Sequence, residues 1–186
     1  EFRRVLFRSH IECKQDMLDN IASLKEQGAQ IIIVSFHWGQ EKENVPNDVQ
    51  VELAHTAIDN GADLVLGHHP HVLQGIEEYK GKDIVYSLGN FCFGGNSAPS
   101  DMDTMIFQQT FTVKDGKLQE DNVTNILPCK ISSAYQEGYN NYQPVLAEGE
   151  QKEKIFQRLS EYSEKAQEAG DRLAQETSSE DKKDSE

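Results

Sequence analysis

The chain has 186 residues with 32 acidic and 18 basic side chains, which leaves a formal net charge of −14 at pH 7. This balance argues against nucleic-acid binding and against docking on an anionic membrane face, because both depend on basic surfaces. Hydrophobic residues make up 37% of the chain, enough for a core, and no apolar run approaches the about 20 residues that span a bilayer. Three cysteines without a CxxC pair imply neither a disulfide framework nor a structural zinc site. We therefore expect a single globular domain.

The first nine residues, EFRRVLFRS, contain three of the five arginines in the chain, whereas the sequence from His10 onward is acidic and rich in lysine. This segment lacks the apolar stretch and the small-residue cleavage site of a signal peptide. We interpret residues 1–9 as a non-native leader, or alternatively as the remnant of a basic targeting sequence, and exclude them from the predicted fold. Because the chain does not begin with methionine, we expect a fragment.

A first helix–strand unit follows this leader. Met17, Ile21 and Leu24 recur at helical spacing, and Gly28 supplies the left-handed conformation that ends a helix. The β-branched run at residues 31–34 has the composition of a strand that is buried on both faces.

A second unit repeats this pattern. Asn47 is the predicted N-cap of a helix that Gly61 ends, and residues 63–66 form the next predicted strand. Two such units in succession predict an α/β fold in which neighbouring strands are parallel.

The later part of the chain has the pattern of antiparallel strands. Residues 76–79 and 84–87 form one predicted hairpin, and Asp115-Gly116 marks the turn of a second. We therefore assign residues 10–147 to one domain, in which helix–strand units are followed by antiparallel hairpins.

The C-terminal region contains a predicted helix over residues 148–174. Its apolar face carries Ile155, Phe156, Leu159 and Tyr162. Residues 175–186 are almost wholly polar, so we expect a disordered acidic tail there.

Histidines follow both predicted strands of the helix–strand units. His37 follows the first strand, and His68, His69 and His71 follow the second. The carboxyl ends of parallel strands meet at one sheet edge, and neutral imidazole is a ligand for zinc, iron and manganese. If the backbone across Pro70 is extended, the rings of His69 and His71 lie on the same side of the chain. We predict that His37, His69 and His71 bind a divalent metal.

Three further residues are candidates for supporting that site or for binding substrate. Glu41 could orient a ligand histidine, because carboxylates often accept the distal N–H of a metal ligand. Asn90 could act as an amide donor. His68 faces the other way from its neighbours and could reach substrate, a residue that supports the metal ligands, or solvent. In contrast, we interpret Cys92 as an inert thiol in a buried strand, and His55 as a helix histidine without a partner.

Three motifs in order, HWGQE at residues 37–41, GHHPHV at 67–72 and SLGNF at 87–91, resemble those of CapA-type capsule-biosynthesis proteins. Those proteins are associated with poly-γ-glutamate capsule synthesis, and their domain belongs to the calcineurin-like metallophosphoesterase superfamily. The resemblance covers about residues 14–159.

This resemblance implies the C-terminal part of an α/β/β/α sandwich with a two-metal site, whose ions could be manganese, iron or zinc. His37 matches the isolated histidine ligand of the superfamily, while His69 and His71 match its closing HxH pair. The resemblance also implies a capsule polymer or phosphorylated envelope substrate, other capsule-synthesis subunits as partners, and a location at the bacterial cell surface.

The opening ligands of the superfamily are an Asp-x-His, a Gly-Asp and an Asn-His followed by an acid, and none of them precedes His37. We therefore expect this chain to be catalytically inactive by itself, even if the family hydrolyses phosphoesters. Two other functions remain open: a non-catalytic subunit of a polymer synthesis or export complex, and an amidohydrolase, whose metal site also contains an HxH. An amidohydrolase barrel would continue with strand–helix units after the HxH, which this sequence does not.

Overall fold

A computed structural model of the chain describes residues 3–8, 12–119 and 123–183. The secondary-structure elements of these residues are β1 (Arg3–Arg8), α1 (Glu12–Glu26), β2 (Ile32–His37), α2 (Asp48–Asp59), β3 (Leu64–His68), β4 (Ile76–Tyr79), β5 (Lys82–Val85), β6 (Asp103–Thr110), β7 (Val113–Lys114), β8 (Lys117–Leu118), β9 (Val123–Lys130), β10 (Val145–Leu146) and α3 (Gly149–Lys183).

The main sheet has the strand order β1-β2-β3-β5-β4. The first four of these strands are parallel neighbours, and β4 pairs antiparallel with β5. The two predicted helix–strand units are therefore confirmed as α1–β2 and α2–β3. The predicted class, an α/β fold whose helix–strand units are followed by antiparallel hairpins, is also confirmed.

Helix α2 begins where its sequence predicts. The Asn47 side chain accepts a hydrogen bond from the Gln50 backbone N–H at 3.0 Å, and the Gln50 side chain accepts one from the Asn47 N–H at 3.2 Å. This reciprocal pair satisfies two backbone donors that the first helical turn leaves free. It therefore sets the direction in which the chain leaves the loop after β2.

The exclusion of residues 1–9 from the fold is wrong. Arg3–Arg8 form β1, which pairs in parallel with all six residues of β2. The physical reason is that the apolar run at residues 5–7 suits a strand. The edge of β2 also presents backbone groups that a further strand can pair with.

A second sheet has the order β10-β9-β6, in which both pairings are antiparallel. Between β6 and β9 lies the predicted turn, where Asp115 and Gly116 have φ angles of 52° and 75° and join the two-residue strands β7 and β8. This left-handed pair is the turn that Asp-Gly favours in a hairpin.

Helix α3 contributes to both hydrophobic cores of the described residues. Ile155 and Leu159 pack with the core that contains residues of β5 and β6, and Ala166 and Ala169 pack with the core between the main sheet, α1 and α2. Tyr162 packs against the first of these cores as a partly buried residue. No helix of the described ranges combines the length and the apolar character needed to cross a membrane.

The predicted end of this helix at residue 174 is wrong, because α3 continues to Lys183. Residues 175–183 contain neither glycine nor proline, so nothing in the sequence interrupts the helical hydrogen bonds. The last three residues of the predicted tail lie outside the described residues.

Two other expectations need correction. Cys92 is exposed rather than buried, and its neighbours Phe91 and Phe93 are 41% and 46% exposed, because residues 91–100 form a loop without a partner strand. His55 has a partner, since its Nε2 lies 2.8 Å from Glu77 Oε1.

The pair of His55 and Glu77 belongs to a buried polar network. The Tyr86 hydroxyl donates to Glu77 Oε2 at 2.5 Å, and the His55 ring stacks on Tyr79 with centroids 3.7 Å apart. Burial of the hydroxyl and the nearby Glu77 carboxylate raise the pKa of Tyr86 well above its usual value. A β-carbon at Gly170 of α3 would lie 2.1 Å from Glu77 Oε1, so α3 covers this network closely.

Candidate metal centre

The candidate site lies at the carboxyl edge of the main sheet. His37 ends β2 and His68 ends β3, and the two residues are direct partners in the parallel register. Asp63, the nearest acid before the HxH pair of His69 and His71 in the sequence, directly precedes β3 and so lies at the opposite edge of the sheet. Its Oδ2 accepts a hydrogen bond from the Ile32 backbone N–H at 2.9 Å, and its Oδ1 pairs with Lys82 Nζ at 3.0 Å.

The structure brings the three predicted histidines together. The ring centroids of His37 and His69 are 4.6 Å apart, and those of His69 and His71 are 5.8 Å apart. The expected extended backbone is wrong, because His69 and His71 have φ angles of 103° and 60°. The chain turns sharply after β3, and left-handed residues on either side of Pro70 make that turn.

Glu41 joins this group more closely than its sequence position predicts. One carboxylate oxygen of Glu41 and one ring nitrogen each of His69 and His71 all lie within 4.8 Å of one another. The sequence predicts this carboxylate as a group that orients a ligand histidine, whereas in the structure it is one of the clustered donors. His37 borders the group through the His69 ring, and His68 is not one of the clustered donors.

Asn90 determines which nitrogen of His71 is available as a ligand. The Asn90 amide nitrogen donates to the His71 carbonyl oxygen at 3.1 Å, which orients the amide group. Its Oδ1 therefore faces His71 Nδ1 at 2.8 Å and can only accept a hydrogen bond there. His71 Nδ1 consequently carries the proton, and Nε2 keeps the lone pair that a metal needs.

The donor set fits a divalent ion. Two imidazoles and one carboxylate form the ligand set of many catalytic zinc sites and of non-haem iron sites, which leave positions open for water or substrate. The donors, from His69, His71 and the exposed Glu41, lie within 4.8 Å of one another, which is close enough for the three side chains to converge on one ion. Asn90 supplies the supporting hydrogen bond that ligand histidines usually have.

A cavity of about 360 Å³ opens beside these donors. It is lined by Glu41, Lys42, His71, Asn90, Phe93, Asn96, Ala98, Pro99 and Ser100. Its volume falls at the lower end of the range of small-molecule sites.

One wall of this cavity, the loop of residues 91–100, is held by a buried side chain from a distant part of the sequence. The Asn140 side chain donates to the Asn96 carbonyl oxygen at 3.2 Å, and its backbone N–H donates to the Ser97 carbonyl oxygen at 2.7 Å. Asn140 Oδ1 also accepts a hydrogen bond from the Tyr142 backbone N–H at 2.8 Å. The sequence contains no local signal for this connection, because the partners are more than 40 residues apart.

Trp38, the residue after His37, packs into the core next to the site. Its ring is buried, stacks on Phe36 with centroids 4.2 Å apart, and donates to the Tyr86 carbonyl oxygen at 2.9 Å. Gly67 makes room for this ring, since a β-carbon there would lie 1.9 Å from the Tyr86 oxygen and 2.5 Å from Trp38 Nε1. This packing holds the residue after His37 in place.

Comparison with known proteins gives matches to the part of the chain that contains this site. Residues 7–95 match the family model described as "Bacterial capsule synthesis protein PGA_cap". Over 65 residues the chain is 58% identical to the PGA biosynthesis protein CapA of Bacillus subtilis (strain 168), a match that covers 35% of this chain and 17% of that protein. Over 69 residues it is 49% identical to the capsule biosynthesis protein CapA of Bacillus anthracis, covering 37% and 17% of the two chains.

Proposed function

We propose that the protein acts in poly-γ-glutamate capsule biosynthesis through a metal-dependent, phosphoesterase-like hydrolase site, because residues 7–95 match the family model of the bacterial capsule synthesis protein PGA_cap. The observation that supports the site most directly is the group formed by Glu41, His69 and His71, with His37 beside it. The matched stretches span 17% of the length of the two CapA relatives, so the activity of a whole protein is part of this proposal.

In this proposal Glu41, His69 and His71 hold one divalent ion, which could be manganese, iron or zinc. When bound, such an ion acidifies a water molecule and polarises a phosphoryl or comparable group. His71 contributes Nε2, because Asn90 occupies its Nδ1. A second ion, as in a two-metal site, would lie near His37 and would need a bridging carboxylate. Glu41 is the acid that the described residues contribute to the cluster.

The substrate and partners follow from the family. We propose a capsule polymer or a phosphorylated envelope compound as substrate, other capsule-synthesis subunits as partners, and the bacterial cell surface as the location. The names of the two relatives refer to PGA or capsule biosynthesis, which supports the first of these assignments.

The main alternative is a non-catalytic subunit of a polymer synthesis or export complex, in which the same cavity only binds its ligand. The single carboxylate in the donor group favours this alternative for the described residues, since a two-metal hydrolase needs more acid. An amidohydrolase barrel fits less well, because antiparallel strands follow the HxH and no further strand–helix unit continues the sheet within the described residues.

Metal binding by variants of two neighbouring acids tests the site. We expect the purified chain to bind about one equivalent of zinc or manganese, measured by calorimetry and elemental analysis. Glu41→Gln should weaken binding by more than about 100-fold, since even residues that only support a ligand are worth 10–100-fold. Glu43→Gln is the matched control, because Glu43 lies in the same exposed loop but outside the donor group. Equal affinities in the two variants would contradict the proposed site.

Hydrolysis of a chromogenic phosphodiester then separates the enzyme from the binding subunit. We expect a protein of the relatives' full length to turn over the substrate with metal, and the 186-residue chain to bind metal without turnover. Turnover by the 186-residue chain that disappears in His69→Ala would show that the expected inactivity is wrong. Absence of turnover in the long protein would favour the non-catalytic subunit.

A further inference from the structure

We propose that the cavity beside the donor group binds an oxyanion on a short aliphatic arm, and that Lys42 is the residue that recognises its charge. This inference rests on the proposed function, because the cavity shares Glu41 and His71 with the metal site. It adds the class of ligand that the site accepts.

The charges around the cavity favour an anion. Among the described residues that line it, Lys42 is the only lysine or arginine, and Glu41 is the only acid. With a divalent ion held by the donor group, the ion, the lysine and the carboxylate carry a net charge of about +2. The remaining polar lining residues, which include Asn90, Asn96 and Ser100, are neutral hydrogen-bonding groups. This local positive charge contrasts with the net charge of −14 of the whole chain.

Lys42 also differs from other lysines of the described residues. Lys14, Lys80, Lys82 and Lys154 each form an ion pair with a carboxylate, whereas Lys42 belongs to the described lysines that form none, and it is the one of these that lines the cavity. Its ammonium group is therefore available to a ligand.

The backbone holds Lys42 at a conformation that lysine rarely adopts. Its φ angle is 67°, and its N–H donates to the Pro70 carbonyl oxygen at 2.8 Å. Positive φ favours glycine or asparagine, and residues in such conformations are concentrated at functional sites. The hydrogen bond fixes the turn that carries Lys42 against the loop that carries His69 and His71.

The apolar lining residues favour an aliphatic arm. Phe93, Ala98 and Pro99 contribute carbon surface to the cavity, and the Phe93 ring lies 4.8 Å from the His71 ring between centroids. A ligand with one charged oxygen group and a few methylene groups could therefore place its charge at Lys42 and its carbon atoms against this wall. Carboxylates and phosphodiesters share this chemistry.

Two probes distinguish these sources in the chain loaded with zinc, whose stoichiometry is measured first. γ-L-Glutamyl-L-glutamate represents the carboxylate and diethyl phosphate represents the phosphodiester, and binding is followed by calorimetry and ligand-observed NMR. We expect at least one probe to bind. Lys42→Gln should raise its dissociation constant about 5–10-fold, and Lys42→Arg should restore most of the affinity. Lys114→Gln, at an exposed lysine of the β7–β8 hairpin, should leave binding unchanged.

Each outcome decides the inference separately from the proposed function. Binding of either probe with the expected dependence on Lys42 supports the inference and identifies its ligand class. A loaded chain that binds neither probe, or that binds them equally well in Lys42→Gln, would overturn it even if the metal site is correct. If the chain takes up no zinc, the proposed function fails, and the same titrations of the metal-free chain decide whether Lys42 recognises the anion.

Discussion

Asn90 and His71 form a reciprocal pair in which one amide side chain contacts both the ring and the backbone of the histidine. Asn90 Oδ1 accepts from His71 Nδ1 at 2.8 Å, and the Asn90 amide nitrogen donates to the His71 carbonyl oxygen at 3.1 Å. Because His71 has a φ angle of 60°, this contact holds a backbone conformation as well as a tautomer. Asn90 therefore prepares the HxH motif for ligand binding.

Substitution of Asn90 should weaken metal binding without removing a ligand. We expect Asn90→Ala to raise the dissociation constant for zinc about 10-fold, because the ring loses its orientation and its fixed tautomer. Asn90→Asp should retain most of the affinity, since a carboxylate still accepts from Nδ1. Competition with a chromophoric chelator measures both values. Unchanged affinity in Asn90→Ala would show that His71 does not need this support.

The buried carboxylate of Glu77 should contribute strongly to stability. It accepts hydrogen bonds from His55 and Tyr86 and is 1% exposed. We expect Glu77→Gln to lower the free energy of unfolding by about 2–4 kcal/mol, because a glutamine amide offers one oxygen acceptor where the carboxylate offers two, which leaves a buried polar partner unsatisfied. Glu78→Gln, at the next and exposed position, should change it by less than about 0.5 kcal/mol. Urea unfolding gives both values, and similar losses would refute the role of the network.

Tyr86 should make the free energy of unfolding depend on pH in the alkaline range. Burial and Glu77 raise its pKa in the folded state, so the folded protein retains this proton at a pH where the unfolded chain releases it. The resulting stability is complete below about pH 10, the ordinary tyrosine pKa, and decreases as the pH rises toward the folded pKa. We therefore expect the difference in unfolding free energy between the parent and Tyr86→Phe to narrow above pH 10. A difference that stays constant from pH 9 to pH 11 would contradict the shift.

Removal of the Asn140 side chain should loosen the cavity wall. Asn140→Ala loses the hydrogen bonds to the Asn96 carbonyl and from the Tyr142 amide. We expect hydrogen exchange at the amides of Ala98 and Tyr142 to become about 10-fold faster, because both lie in segments that this side chain joins. Asn125→Ala, on β9 with an exposed side chain, is the control. Equal exchange rates at these amides in the parent and in Asn140→Ala would show that Asn140 does not hold the loop.

The parts of the fold that depend on neighbouring residues could be predicted from the sequence. The Asn47 side chain caps its helix by accepting from the backbone N–H three residues away, and Asp115-Gly116 forms a turn within four residues. The meeting of His37 with His69 was also predictable, because both follow parallel strands at one edge of a sheet.

The remaining features depend on contacts between distant residues. His55 meets Glu77 across 22 positions, and Asn140 meets Asn96 across 44, so no local pattern indicates either contact. The left-handed backbone of the HxH motif follows from the turn after β3 rather than from a preference of histidine. The apolar composition around Cys92 predicts a buried strand, although none of the strands in the described ranges pairs with residues 91–93.

The position of α3 bears on how shorter versions of this protein should be designed. The match to the family model ends at residue 95, yet α3 contributes to both hydrophobic cores of the described residues through Ile155, Leu159, Ala166 and Ala169. An expression boundary placed at the end of the similarity would remove this helix and expose Glu77, which Gly170 covers. Soluble truncations for metal-binding work should therefore keep α3 through at least Leu173, which packs against the larger core.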